Sequence, residues 1–311
     1  MKTLNAAETR AALPYGALVA ALLDMFEQQR RGDASAAPRS VTALPGGVML
    51  LMPAINRRFA ALKVVTVHNA NISSKANQAH SLPAVQSDML LMDAITGERL
   101  LRLDGNVVTN RRTAALSIAG AQRAGCTNAR TLLLIGAGAQ ARAHAEALIG
   151  LWGVQRIWVH ARGAAACVAL AADLRALGAD ATYIADPASV APRADLVVCA
   201  TTSLTPVVPE NLRRDAIVIA VGAFRPDMAE VPAALVRRAH IYVDTIEGAQ
   251  AEAGDLIQAQ VDWSGVQSFA SARPVASPRQ PILVKTVGHA LWDLAAATLA
   301  LSQTSQDNAI A

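Results

Sequence analysis

The chain has 311 residues, 28 Lys+Arg against 24 Asp+Glu for a net charge of +4, and 53% hydrophobic but only 4% aromatic residues. That length allows two domains, and the alanine-rich composition suits a helix-rich α/β protein. The scattered basic residues leave no nucleic-acid footprint, no run reaches the ~18 apolar residues of a membrane span, and polar Asn5, Glu8 and Thr9 interrupt a signal-peptide core, so a cytoplasmic protein bound to neither nucleic acid nor membrane is expected.

Residues 6 to 31 predict one or two helices, with Leu13, Leu18, Leu22, Leu23 and Phe26 on the apolar side. Short strands are expected at 40–44, 47–52, 61–67, 84–93 and 99–103, with a hairpin turn over Asp93–Arg99 that carries Gly97. Residues 69–81 (NANISSKANQAHS) read as a polar loop of the kind that is functional or mobile. A helix over 109–124, capped by Thr109 or Asn110, bridges to a second region. There the pattern changes to strands at 131–135, 156–160, 181–184, 196–200, 217–221 and 241–243, separated by apolar helices. Continuous apolar strands alternating with helices indicate a parallel sheet covered on both faces. A last apolar helix, about 287 to 301, is expected to return to the first region.

Cys126, Cys167 and Cys199 show no C-x-x-C spacing and read as reduced thiols. The six histidines lack metal-ligand spacing, so no metal site is expected. His160 and His240, in or beside strands, read as hydrogen-bonded structural groups.

Gly136, Gly138 and Ala141 form G-x-G-x-x-A between a strand and a helix. Gly136 permits the tight turn, Gly138 lets backbone approach a pyrophosphate, and Ala141 allows close helix–strand packing. The helix N-terminus offers N–H groups to phosphate. After the second strand, His160-Ala161-Arg162-Gly163 lacks the acid that would accept a ribose 2′-hydroxyl. Arg162 either pairs with a 2′-phosphate, favouring NADPH with NADH possible, or is a solvated loop residue. Arg39, Lys63 and Arg112 are cations in or beside apolar runs. Lys63, in FAALKVVTV, is costly to bury unless paired, ligand-bound or neutral. The three cations either clamp a substrate carboxylate or make ordinary salt bridges. Arg112, in the bridging helix, also falls beside the expected cofactor.

GGVMLLMPA, ALKVVTVHNAN, DAITGERL, DGNVVTNRRTAALS, LLLIGAGAQARAHAEAL, VGAFRPDMAEV, VDTIEGAQAEAGDL and VKTVGHALWDLAA occur in this order. Together they resemble the ornithine cyclodeaminase/mu-crystallin family over about residues 38 to 300. The resemblance implies a Rossmann-type doubly wound parallel sheet (116–287) inserted into a second α/β domain (1–115 plus 288–311) for substrate binding and dimerisation. It places Arg39, Lys63 and Arg112 on the substrate side and Ala139 and Gln140 at the glycine turn. Thr201 or Thr202 would lie at the fourth strand's end, Val221, Gly222 and Ala223 at the fifth's, and Thr286 and Val287 near nicotinamide and substrate.

The cyclodeaminases of that family carry an aspartate where this chain has Phe224. Phenylalanine exchanges no proton, and Asp227, three residues on, is not expected to replace it. The remaining residues suit reduction of a cyclic ketimine carboxylate, Δ1-pyrroline-2-carboxylate to L-proline or Δ1-piperideine-2-carboxylate to L-pipecolate. Lys63 is the proton-donor candidate, because burial among cations lowers an ammonium pKa. An ornithine cyclodeaminase, an alanine or opine-type dehydrogenase, and a mu-crystallin-like NADPH-binding protein are the alternatives. A homodimer is implied.

Overall fold

The computed structural model describes residues 1–68, 71, 82–275 and 279–310, the last five of these by backbone alone. Apart from Asn71, the polar 69–81 loop lies outside the described residues. The chain divides into two compact units, Met1–Arg112 with His289–Ala311, and Thr113–Gly288.

The first unit begins with β1 (Lys2–Thr3), α1 (Ala6–Ala11) and α2 (Tyr15–Arg31). Pro14 separates the two helices, and Gly32, at φ 74°, ends the second. Then come β2 (Ala34–Ala36), β3 (Ser40–Leu44), β4 (Gly47–Asn56), β5 (Phe59–Val67), β6 (Val85–Asp93) and β7 (Arg99–Asp104). They form one sheet in the order β1-β7-β6-β5-β4-β2, with β3 also on β4. Only β1 pairs parallel. The β6–β7 turn forms as the sequence predicts: Asp93 Oδ1 accepts the N–H groups of Ile95 and Thr96, and Gly97 takes φ 74°.

Strand alternation gives this sheet two faces. Ala61, Lys63 and Val65 of β5 are buried, with Met52, Met89 and Leu91 on the same side. The last helix, α9 (Ala290–Ile310), packs over β4 to β7 and against α2. Phe26 meets Trp292 edge to face at 5.1 Å. This helix starts later than expected because Gly288 adopts φ 89°, and it runs beyond residue 301. Leu51, Pro53, Leu62, Val64 and Leu90 lie on the opposite face and are half-buried.

The bridging helix α3 (Gly105–Arg123) begins a turn before Thr109. The expected cap is corrected: Asp104 Oδ1 accepts the N–H of Val107 at 2.8 Å and so caps the first turn.

The second unit contains β8 (Thr131–Ile135), α4 (Ala139–Trp152), β9 (Arg156–His160), α5 (Ala164–Ala176), β10 (Asp180–Tyr183), β11 (Leu196–Cys199) and β12 (Ile217–Ala220). It continues with α6 (Ala233–Arg237), β13 (His240–Val243), α7 (Ile246–Glu252), α8 (Gly254–Ala259), β14 (Gln267–Ser268) and β15 (Ile282–Lys285). All eight strands run parallel, in the order β10-β9-β8-β11-β12-β15-β13-β14. This is the doubly wound sheet the alternation predicts, with its switch point between β8 and β11. Strand β15 was not among the expected strands. The chain inserts it between β12 and β13.

Candidate active site

In the first unit, the inward side of β5 carries Lys63 into the core, 2% exposed. An ammonium there needs compensation. It finds Asp293 of α9, fully buried, at 2.8 Å from Nζ to Oδ2. Arg112 of α3, 5% exposed, donates Nε–H to Oδ1 of the same carboxylate at 2.9 Å. Lys63 Nζ also lies 3.4 Å from Thr109 Oγ1. Two cations thus share one carboxylate. Burial drives the Lys63 pKa down to about 8; Asp293 works against this, while Arg112 and Arg39 add to it. Burial alone would raise the Asp293 pKa, but Lys63 and Arg112 hold it below the ordinary carboxylate range. Arg39, half-buried just before β3, acts on Lys63 through its charge. The structure therefore brings the three expected cations into one electrostatic group and adds Asp293.

In the second unit, β8 runs into the glycine turn. Gly136 takes φ 123°, and a Cβ there would sit 2.5 Å from the carbonyl oxygen of Ala200. Nothing lies within 4 Å of a Cβ on Gly138, which starts α4. Gly138 and Ala139 are exposed and Ala141 is fully buried. The turn therefore presents open backbone at a helix N-terminus, which fits a pyrophosphate. Arg162 is exposed in the loop after β9. Gln140 is half-buried, and its carbonyl meets His144 Nδ1 at 2.8 Å.

The ends of β11 and β12 are held by a residue that was not anticipated. Glu230, fully buried, accepts from Thr201 N at 2.6 Å and Oγ1 at 2.9 Å, and from Gly222 N at 2.6 Å. Thr202 is exposed, Val221 half-buried and Ala223 buried. Thr286 and Val287 follow β15, and the Val287 N–H donates to buried Asp244 at 3.2 Å. Asp293 and Glu230 were legible only as lone acids in apolar surroundings, HALWDLAAATLAL and DMAEVP.

Comparison with known proteins gives the family. The profile of the Ornithine cyclodeaminase/mu-crystallin family matches residues 2–308. The chain belongs to that family. A Δ1-pyrroline-2-carboxylate reductase of Burkholderia ambifaria is 42% identical over 294 residues, 94% of this chain and 92% of its own. A Δ1-pyrroline-2-carboxylate/Δ1-piperideine-2-carboxylate reductase of Azospirillum brasilense is 41% identical over the same shares. The fold is that of the Thermococcus litoralis Δ1-pyrroline-2-carboxylate reductase solved with NADH and L-proline, with TM-score 0.89 at 23% identity, covering 99% of this chain and 98% of that one.

At Phe224, where an acid is expected of a cyclodeaminase, the chain carries none. Phe224 is 44% exposed. Asp227 is exposed and bound in two-pronged fashion to Arg225 at 2.9 Å. Hydrogen bonding from that guanidinium keeps its pKa low, so it is a poor stand-in for a proton-exchanging carboxylate. Among the described residues, no cluster of His, Cys, Asp and Glu could hold a metal ion, and no helix is long and apolar enough to cross a membrane.

Proposed function

We propose that this protein is an NAD(P)H-dependent reductase of cyclic ketimine carboxylates, converting Δ1-pyrroline-2-carboxylate to L-proline and Δ1-piperideine-2-carboxylate to L-pipecolate. The observation that carries the reading is the buried Lys63–Asp293–Arg112 group. It sets an ammonium whose pKa is lowered to about 8 beside a guanidinium on the same carboxylate. The identity of more than 40% to named reductases supports the same activity.

In this reading the nicotinamide supplies the hydride to the C=N carbon. The protein's own groups do the rest. Asp293 engages Arg112 through Nε, so the terminal guanidinium nitrogens serve the substrate carboxylate as a fork. Arg39 adds positive charge. Lys63 Nζ gives its proton to the imine nitrogen and is reprotonated from solvent, leaving a neutral secondary amine at the reduced ring. Asp293 holds both cations in place, so the two can be brought to one small anion without repelling each other apart. In the second unit, Gly136, Gly138, Ala139 and Gln140 would take the pyrophosphate, and Thr201, Thr202, Val221, Gly222, Ala223 and Thr286 the nicotinamide end. Val287 would line the substrate.

Two finer features belong to the reading. Arg162, with no acid after β9, favours NADPH over NADH. The half-buried apolar face of Leu51, Pro53, Leu62, Val64 and Leu90 favours a homodimer joined through the first unit. The enzyme would work in the cytoplasm, on the reduced nicotinamide pool.

The test is oxidation of NADPH or NADH, followed by absorbance, with Δ1-pyrroline-2-carboxylate. Turnover to L-proline is expected, and L-ornithine with NAD should release no ammonia. Ammonia from ornithine without imine reduction would overturn the proposal in favour of a cyclodeaminase.

A further inference from the structure

Glu230 makes an unusual set of contacts. Its carboxylate sits between the carboxyl ends of two neighbouring parallel strands and is reached by four donors. Oε1 takes Thr201 N and Oγ1; Oε2 takes Gly222 N at 2.6 Å and Ala223 N at 3.3 Å. A glutamine could accept on one side only and would turn an NH2 toward N–H groups on the other. The fit at Gly222 is so close that a Cβ there would lie 2.0 Å from the Thr201 carbonyl oxygen and 2.4 Å from Glu230 Oε1.

The backbone of Glu230 is itself held. Its N–H and that of Val231 donate to Asp255 Oδ1 at 2.6 and 2.9 Å, and Asp255 Oδ2 lies 3.0 Å from Lys285 Nζ on β15. Asp255 and Lys285 balance each other, which leaves Glu230 without a cationic partner within salt-bridge distance among the described residues. Asp244, also buried, accepts from Val287 N and from Gly288 N at 2.8 Å beyond β15. The Glu230 carboxylate therefore adds buried negative charge at this half of the sheet edge. The other half offers the positive N-terminal end of α4 at the glycine turn.

We infer that Glu230 is a positioning residue for the nicotinamide end of the cofactor site, and that its charge biases this end toward the oxidised ring. The inference rests on the reading that the second unit binds NAD(P)H. A dihydronicotinamide ring is neutral and becomes a pyridinium cation once its hydride, with both electrons, has passed to the imine carbon. A fixed buried carboxylate behind the β11 and β12 ends stabilises the cation and leaves the neutral ring nearly unaffected. Glu230 then serves reduction in particular, because it lowers the free energy of the state in which the hydride has left. Its grip on Thr201, Gly222 and Ala223 keeps these loops from relaxing as the charge appears.

The deciding experiment is the dissociation constants of NADP+ and NADPH, and of NAD+ and NADH, for the wild-type protein and Glu230→Gln, by calorimetry and nucleotide fluorescence without substrate. The expected result is that Glu230→Gln weakens the oxidised form about tenfold more than the reduced form. Equal weakening of both forms, or none, would overturn the electrostatic role and leave a structural one. Should Glu230→Gln fail to fold, the wild-type ratio stands as a check on its own. Oxidised nucleotide bound more than about tenfold weaker than reduced by the native protein would contradict the inference. If the native protein binds none of the four nucleotides, the functional reading itself fails and this inference falls with it.

Discussion

Each unit of this protein buries a lysine against an aspartate at nearly the same distance, 2.8 Å for Lys63–Asp293 and 3.0 Å for Lys285–Asp255. Their surroundings separate them. Burial lowers the Lys63 pKa to about 8, and Arg112, which shares its carboxylate, and Arg39 add to the fall. Lys285 has one acid at salt-bridge distance, Asp255. Its aspartate also accepts two backbone N–H groups, and Glu230 follows directly in the same network. The contrast shows that a buried ion pair has no fixed meaning. Neighbouring cations suit the proton-donor and anion-binding role proposed for Lys63, while a balanced pair suits a strut.

Substitution of the two lysines breaks the comparison most sharply. Lys63→Met should lower kcat by about 10²–10⁴-fold, the range for loss of a general acid, with the fold kept. Lys285→Met leaves Asp255 buried without its cation and should cost about 3–5 kcal/mol in stability by denaturant unfolding. The residual enzyme should keep the wild-type pH profile. A Lys285→Met protein with normal stability but altered pH dependence would reverse the two roles.

Arg112→Ala should raise KM for the imine by about 10- to 100-fold, through loss of a charge-assisted contact, with the alkaline limb of the pH profile still present. Removing a neighbouring cation should move that limb to higher pH, since Arg112 contributes to the lowering of the Lys63 pKa. A shift to lower pH would contradict the shared-carboxylate account.

Linkage offers a smaller effect. Lys63 binds its proton less tightly folded, at about 8, than at its ordinary 10.5. The unfolded chain therefore holds more protons between these values, and this group makes stability rise with pH across that window. Below about pH 8 the penalty is fully present. Lys63→Met should flatten the rise, as measured by unfolding at pH 8 and pH 10. The smallest effect is expected at exposed Arg162, where Arg162→Ala should raise KM for NADPH by about 3- to 10-fold and leave NADH nearly unchanged.

Much of the nucleotide half was legible in the sequence, because buried parallel strands are short apolar runs and the glycine turn has fixed spacing. The errors there have physical reasons. The strands expected to end at Ile184, Ala200 and Val221 end one residue earlier, where the chain leaves the sheet while still apolar. Strand β15 escaped because ILVK is short, follows a proline-rich stretch and ends on a lysine. Its place between β12 and β13 depends on a long return that local periodicity cannot carry. Asp104 capped the bridging helix in place of Thr109 because the helix starts as soon as β7 ends. In the site, the cations stood out as charges in or beside apolar runs. Their partner Asp293 did not, since a lone acid reads the same whether solvated or buried, and only the return of α9 to the first unit brings it to Lys63. Glu230 was hidden for the same reason: its partners are backbone N–H groups, which no sequence pattern marks.

The most direct test of the account is kcat against pH for the wild-type protein and Lys63→Arg, with Δ1-pyrroline-2-carboxylate and NADPH. If Lys63 is the proton donor, the wild-type rate falls about tenfold per pH unit above about 8. Lys63→Arg, which keeps the charge but holds its proton throughout, should lose most of kcat and show no such limb. A Lys63→Arg enzyme with near-normal kcat and an unshifted alkaline limb would contradict the account and leave these cations as a carboxylate clamp alone.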